Sequence, residues 1–180
     1  MALGSLIVEP KLTRVLVAFA TRFGSTREIV SAMVHELNSA GLDAHGVETT
    51  SSLNPDDYDA FVIGSPIYGG HWLAAAGMFA AITSERIDGK PVALFSVGTL
   101  GVSNWKGAEK EHQDFITGLT EVAPKLNIVS NALFNGYFER SNLPWYLRIV
   151  DRFAPTPQGD HRNWQVIKSW TKSLVPKFNG

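Results

Sequence analysis

The sequence predicts an α/β fold in which a doubly wound, five-stranded parallel sheet is covered by helices on both faces. Short apolar runs alternate with amphipathic segments along the chain, which is the pattern of strands joined by helices. The runs at residues 59–64 and 91–97 are almost continuously apolar, as in strands buried on both faces. Glycine- and hydroxyl-rich loops follow three of the runs, and such loops should meet at one edge of a parallel sheet.

The first half of the predicted fold follows an N-terminal extension of residues 1–12. An apolar, partly β-branched run at about residues 14–20 predicts the first strand. A helix from about residue 25 to residue 40 should follow, because apolar residues recur on one face and Gly41 supplies a stop. The next predicted elements are a weak edge strand near residues 44–50, a turn at 54–57 and a buried strand at 59–64.

The second half of the chain completes a single domain of residues 1–180. A helix of small residues is predicted to end near Thr83, before the buried strand at 91–97. Apolar residues at helical spacing predict a helix from about 106 to 123. The remaining predicted elements are a fifth strand near residues 127–134, an irregular aromatic region at 135–160 and a last helix from about Asn163 to Leu174.

Composition excludes several classes of function. A net charge of −1 gives no basic field for nucleic acid and no strong acidity for docking on basic partners. The chain has no cysteine, so disulfides and thiolate chemistry are excluded. It also shows no apolar run of about 18 residues and no basic start typical of a secretion signal, so we expect a cytoplasmic protein.

The loop after the first predicted strand has the order strand, hydroxyl- and glycine-rich loop, helix. A helix begins with unpaired N–H groups and a partial positive charge, so it can hold a phosphate through its backbone. We call residues 21–26 the first loop; it reads Thr21, Arg22, Phe23, Gly24, Ser25 and Thr26. Ser25 and Glu28 can alternatively form a capping box without any ligand. The loop matches neither a Walker loop nor the three-glycine dinucleotide motif.

Two further loops should lie beside the first loop. The second loop, residues 65–71, and the third loop, residues 98–104, each follow a buried predicted strand. Their glycines, hydroxyls and neighbouring aromatic residues would place a flat, aromatic-walled slot beside the phosphate site. The sequence therefore favours a nucleotide that carries a planar ring. No His-Glu-x-x-His motif or other ligand cluster predicts a metal site.

In these three loops the chain resembles the flavodoxin-like family. It is most similar to the branch of menaquinone-dependent protoporphyrinogen oxidases, whose phosphate loop has the form Thr-Arg-x-Gly-x-Thr-Arg-Glu-Ile, matched here from Thr21 to Ile29. Further matches are Gly70-His71, Trp145-Tyr146, Asp151-Arg152-Phe153 and, in part, Asn163-Trp164-Gln165-Val166. The chain differs from the branch at residues 66–69 and in a shortened basic insertion.

The resemblance implies the strand order 2-1-3-4-5 and FMN as the cofactor. It assigns the FMN phosphate to the first loop. It assigns the flavin ring to a second set of residues: Ser65, Pro66, Ile67, Tyr68, Gly69, Gly70, Gly98, Thr99, Leu100, Gly101 and Trp105. Tyr68, Trp72 and Trp105 are the candidates for stacking on the ring, with Trp72 equally suited to the core. His71 is the candidate catalytic residue, because imidazole can donate a proton near neutral pH; a structural histidine is the alternative.

The function implied by this resemblance is an FMN oxidoreductase acting on a quinone or similar flat organic substrate, as a protoporphyrinogen oxidase does. The alternatives are an electron-transfer flavodoxin with protein partners and an interaction domain that has lost FMN. A segment carries Trp145, Ile149, Val150 and Phe153 on one helical face. It is either a helix that faces a quinone or the inner membrane surface, or a helix packed on the sheet edge. We expect residues 138–162 to cover the open edge of the flavin. A homo-oligomer is a further possible partner, and the sequence does not determine the oligomeric state.

Overall fold

The computed structural model describes residues 11–49, 54–68, 70–87, 89–98, 108–142, 145–152 and 158–179. Its sheet is built from strands that follow the predicted apolar runs. In chain order the strands are β1 (Arg14–Phe19), β2 (Asp43–Glu48), β3 (Ala60–Tyr68), β4 (His71–Trp72), β5 (Pro91–Gly98) and β6 (Asn127–Asn135).

The strand order confirms the predicted doubly wound topology. In the described part of the chain, β2-β1-β3-β5-β6 pair in parallel, with β2 and β6 at the edges. The two-residue β4 pairs antiparallel with the end of β3, so it adds a hairpin and leaves the predicted order 2-1-3-4-5 unchanged among the long strands. The sequence did not predict this hairpin, because two residues are too few to show an alternating pattern.

Helices cover both faces of the sheet. They are α1 (Ser25–Ser39), α2 (Ala74–Ser84), α3 (Ala108–Val122), α4 (Trp145–Asp151) and α5 (Trp164–Phe178). Because side chains alternate along a strand, β1 sends Val15 and Val17 towards the α1 and α5 side. Leu16 and Ala18 face the α2 and α3 side. Both sets are fully buried, which explains why the central strands read as continuous apolar runs.

The last helix is longer than predicted. It continues through Pro176 to Phe178, where the prediction ended near Leu174. Leu174 and Phe178 lie one turn apart and are both buried in the core that α1 also lines, so packing favours the extra turn. Pro176 lacks an N–H donor, but it lies in the last turn and the helix still continues to Phe178.

The aromatic region, predicted as irregular, contains regular elements. Strands β7 (Tyr137–Phe138) and β8 (Gly159–Asp160) form a two-stranded antiparallel ribbon, and α4 lies between them in sequence. Gly136 N–H donates to Gly98 O at 3.0 Å, and His161 N–H donates to Gly136 O at 3.2 Å. The ribbon is therefore fixed to the carboxyl end of β5.

The exposure of α4 bears on whether this segment packs on the sheet edge, an alternative that the sequence left open. Packing on the sheet edge would bury Trp145 and Ile149, yet they are 74% and 53% exposed, and Tyr146 is 53% exposed. Trp145 and Ile149 are therefore not packed on the sheet edge, and Phe153 of the same predicted face lies outside the described residues. None of the helices among the described residues combines the length and apolar character needed to cross a membrane.

Candidate functional site

The candidate site lies at the edge of the sheet where β1, β3 and β5 end. These strands are neighbours, so the starts of the first and second loops and Gly98, where the third loop begins, lie at the same edge. Ala20 N–H donates to Gly64 O at 3.0 Å, which ties the start of the first loop to β3. The convergence predicted from the sequence therefore holds for the strand ends.

The first loop turns sharply into α1. Gly24 is the N-cap residue at φ +88°, a conformation that favours glycine, and its N–H donates to Thr21 Oγ1 at 3.0 Å. The N–H of Arg27 returns to Gly24 O at 3.0 Å. The N–H groups of Ser25 and Thr26 precede that bond, and at a helix start such donors are free to bind an anion.

The alternative capping box is wrong. No side chain caps α1, and Glu28 Oε2 accepts instead from Nη1 of Arg162 at 2.7 Å. Arg27, the other charged residue of this turn, pairs with Glu48 at 2.6 Å. Both charged residues of the first helical turn thus point to partners outside the first loop.

Thr26 provides the most informative atom of the first loop. Its side chain is fully buried, yet Oγ1 has no hydrogen-bond partner within the described part of the chain. An unpaired buried hydroxyl costs about 1–3 kcal/mol, so proteins seldom retain one without a use. Thr26 is the second residue of α1, so it lies in the helical turn that begins with the free N–H groups.

Aromatic and cationic side chains join the first and second loops. The rings of Phe23 and Tyr68 meet edge to face with centroids 6.3 Å apart. The guanidinium of Arg22 lies over both rings, 5.5 Å from the centroid of Phe23 and 5.4 Å from that of Tyr68. Burial raises the pKa of the Tyr68 phenol, although the nearby Arg22 charge acts in the opposite direction. The phenol is therefore neutral and can donate a hydrogen bond at neutral pH.

The second loop begins inside β3. Ser65 and Pro66 are buried, and Ser65 Oγ accepts from Leu73 N–H at 3.0 Å and donates to Pro66 O at 2.9 Å. Tyr68 and His71 face each other across the β3–β4 hairpin, where Gly70 takes φ +82°. Ile67 is half-buried, Tyr68 is 39% exposed and His71 is exposed, so the tip of the hairpin offers the accessible side chains.

Trp72 belongs to the core. Its side chain is 8% exposed, and its Nε1 donates to Ser96 Oγ at 2.8 Å. Of its two sequence interpretations, the structure supports packing in the core.

In the third loop, Gly98 ends β5. The predicted ligand residues Gly69, Thr99, Leu100, Gly101 and Trp105 lie outside the described residues.

Comparison with known proteins identifies the family. The family described as "Flavodoxin domain" matches residues 16–161, most of the chain. The chain belongs to the flavodoxin domain family. This membership points to a flavin cofactor. Protoporphyrinogen IX dehydrogenase [quinone] of Escherichia coli K12 is 35% identical over 86 residues, covering 47% of this chain and 48% of the relative. The chain thus spans about half the length of the curated relatives that it matches.

Solved flavodoxins share the fold. A short-chain flavodoxin associated with a non-canonical PDU bacterial microcompartment superposes with a TM-score of 0.62 at 12% identity, covering 93% of this chain and 99% of its own. The Streptococcus pneumoniae TIGR4 flavodoxin gives a TM-score of 0.59 at 17% identity, covering 92% of this chain and 99% of its own. At these identities the comparison shows architecture, and it supports the confirmed strand order.

An apolar groove adjoins the second loop of this flavodoxin domain. It has a volume of about 680 Å³ and lies between α2 and α3, with Gly70 and His71 at one end. Trp72 and Phe115 line it, with ring centroids 5.2 Å apart. Gly77 and Gly118 also line it, and an added Cβ on either glycine would meet no atom within 4 Å. The groove therefore has the size and apolar lining of a small-molecule site.

Sequence reasoning missed the ion pair that joins residues 138–162, which we call the tail, to the first helical turn of this flavodoxin domain. Arg162 contacts both Glu28 and Asp160 at 2.7 Å, and its side chain is 8% exposed. The two ends of the Glu28 contact are 134 positions apart, so no local pattern could have indicated it. Among the residues described, no three His, Asp or Glu side chains gather as a metal-binding group.

Proposed function

We propose that the chain binds FMN at the edge of the sheet where β1, β3 and β5 end, and acts as an oxidoreductase on a quinone or a similarly flat organic substrate. The observation that carries this proposal is the buried, unpartnered Thr26 hydroxyl at the start of α1 in a flavodoxin domain. A phosphate there would accept hydrogen bonds from Thr26 Oγ1 and from the free N–H groups of Ser25 and Thr26. The residues present therefore fit the phosphate of FMN.

The ring of FMN would lie beside the cluster of Arg22, Phe23 and Tyr68. Tyr68 is the partly exposed ring of this cluster nearest to the tip of the second loop, so it is suited to offset stacking. Arg22 holds Phe23 and Tyr68 together by lying over both rings, which fixes the slot before a ligand enters. FMN supplies the electron or hydride transfer when bound, and the protein binds and orients it.

Changing Tyr68 to alanine tests the stacking role. We expect Tyr68→Ala to weaken FMN binding by about 0.5–1.5 kcal/mol and to shift the visible absorbance of the bound flavin. Tyr58→Ala is the matched control, because Tyr58 precedes β3 at the opposite edge of the sheet and packs on Phe61. Fluorescence titration and absorbance spectra measure both effects. Identical spectra and affinities for wild type and Tyr68→Ala would assign the stacking to another residue.

The groove between α2 and α3 supports a second, apolar substrate. It starts at His71, beside the second loop, and its lining is dominated by small and apolar residues. The matched relative is named as a quinone-linked dehydrogenase. A quinone is therefore consistent both with the apolar lining of the groove and with the name of this relative. His71 is exposed at the end of the groove, where it could orient the substrate or give it a proton.

Turnover with quinones tests this function. Under anaerobic conditions each reduced flavin of the purified holoprotein should pass its two electrons to one quinone. Turnover should then continue when a donor in excess, for which a porphyrinogen is the candidate, reduces the flavin again. An electron-transfer flavodoxin would instead turn over poorly with quinones and exchange single electrons with a protein partner. Loss of all flavin from the purified chain would favour an interaction domain.

Filling the groove should separate substrate binding from cofactor binding. We expect Gly118→Trp to lower kcat/KM for a quinone by about tenfold or more while FMN content stays near that of wild type. Gly118→Ala is the matched control, because its Cβ enters open space and replaces a helical glycine. It should keep turnover and raise the free energy of unfolding by about 0.5–1 kcal/mol. Equal kcat/KM for both variants would exclude the groove.

The tail remains a predicted contact surface. Arg148 Nη2 donates to Ser141 O and Arg140 Nη2 donates to Arg148 O, so these two guanidinium groups also bind within the tail. Trp145, Tyr146 and Ile149 are left exposed on α4. We propose that this face meets the second substrate, or the inner surface of the membrane if the cytoplasmic protein associates with it.

A further inference from the structure

The starting point is the position of Glu28 beside the proposed phosphate site. This carboxylate lies in the first turn of α1, one turn along from the Ser25 N–H. Its side chain is 63% exposed, so burial does not fix its direction. Left alone, a glutamate at this position would be drawn to the free N–H groups and positive end of the helix. A phosphate needs those same groups.

Arg162 holds Glu28 away from that position. Its Nη1 lies 2.7 Å from Glu28 Oε2, and its side chain is almost buried. The guanidinium is itself fixed, because Nε and Nη2 bind the two carboxylate oxygens of Asp160 at 2.8 and 2.7 Å. It also lies over the ring of Trp164 at 4.6 Å from the centroid. Three contacts thus leave Arg162 a single orientation towards α1.

The support for Arg162 reaches back to the sheet. Asp160 belongs to β8, which pairs with β7, and Gly136 just before β7 donates to Gly98 O at the end of β5. Hydrogen bonding to Arg162 lowers the pKa of Asp160, so its carboxylate stays charged through the neutral range. The ribbon is therefore a fixed support that holds the guanidinium of Arg162 next to the first turn of α1.

We propose that Arg162 is a positioning residue for the FMN phosphate. It neutralises Glu28 and keeps that carboxylate from occupying the N–H groups of Ser25 and Thr26. This role rests on the proposed FMN site and adds a residue from the C-terminal part of the chain to it. Because Arg162 acts through a charge next to the phosphate, its effect should be confined to ligands that carry a phosphate.

FMN and riboflavin provide the test, because they differ only in the phosphate. We expect Arg162→Gln to weaken FMN binding by about fivefold to tenfold, from repulsion between an unpaired carboxylate and a phosphate at the protein surface. Riboflavin affinity should change by less than about twofold. The double variant Glu28→Gln with Arg162→Gln should regain the FMN affinity of Glu28→Gln alone, since the repelling charge is gone.

A control and a second variant keep the outcome clear. Arg86→Gln removes a comparable arginine, paired with Asp56 at 2.6 Å before β3, and should change neither affinity. Should Arg162→Gln fail to fold, Glu28→Asp decides: it keeps the charge on an exposed residue but shortens the reach to Arg162, so FMN alone should bind more weakly. Equal losses for FMN and riboflavin, or no recovery in the double variant, would overturn the proposal. Wild type that binds neither flavin would overturn the FMN site itself.

Discussion

Thr26→Val should weaken FMN binding strongly while leaving the apoprotein at least as stable as wild type. The hydroxyl is fully buried and has no partner in the described part of the chain, so replacing it with a methyl group removes an unpaired polar atom. We expect the free energy of unfolding of the apoprotein to rise by about 1 kcal/mol. In the holoprotein the same change deletes a hydrogen bond to a charged phosphate, which should cost about 1.5–3 kcal/mol of binding free energy.

Thr83→Val is the matched control for this experiment. Thr83 is also fully buried with an unpartnered Oγ1, but it lies in the last turn of α2, away from the first loop. Both variants should gain stability in urea unfolding, and only Thr26→Val should lose FMN affinity in fluorescence titrations. FMN affinity within a factor of three of wild type for Thr26→Val would remove this residue from the phosphate site.

Gly64→Ala should destabilise the whole fold. A Cβ on Gly64 would lie 2.0 Å from Cε1 and Cζ of Phe95, far inside van der Waals contact. Phe95 is fully buried and packs against Phe134 and Trp170, so it has little room to move aside. We expect the free energy of unfolding to fall by about 1–3 kcal/mol or more, as for other overpacked cores. Urea unfolding monitored by circular dichroism measures this loss.

A glycine in open space gives the contrast. Gly77→Ala adds the same methyl group where nothing lies within 4 Å, so it should be neutral or stabilising. Combining Gly64→Ala with Phe95→Leu should recover part of the lost stability, because the smaller side chain vacates the clashing atoms. Gly64→Ala as stable as wild type would show that the core around Phe95 adapts, contrary to the tight packing described here.

The central strands and first helix could be predicted because their sequence patterns reflect the burial they have in the fold. β3 and β5 are buried on both faces, so their sequences are nearly continuous apolar runs. Such runs can be recognised from a short stretch of sequence. The start of α1 was predictable because glycine and hydroxyl residues, which are common at helix N-termini, occur there. Each of these signals lies within a few neighbouring residues.

The remaining features depend on contacts between distant parts of the chain. From the sequence alone, Trp72 could either stack on a ligand or pack in the core. Its hydrogen bond to Ser96, 24 positions later in the chain, shows that it packs in the core. Glu28 has the spacing of a capping box, but Arg162 from the tail takes it instead. The exposure of Trp145 likewise depends on which distant parts of the chain pack against it, and a local pattern does not show this. Tertiary partners override the local preference of Trp72 and of Glu28.

Titration of the apoprotein with FMN, with riboflavin as the comparison, tests the phosphate site at the start of α1 most directly. We expect saturable binding of one FMN per chain, with riboflavin bound at least about tenfold more weakly because it lacks the phosphate that Ser25 and Thr26 would hold. No saturable binding of FMN, or equal affinities for FMN and riboflavin, would contradict the site proposed at the first loop.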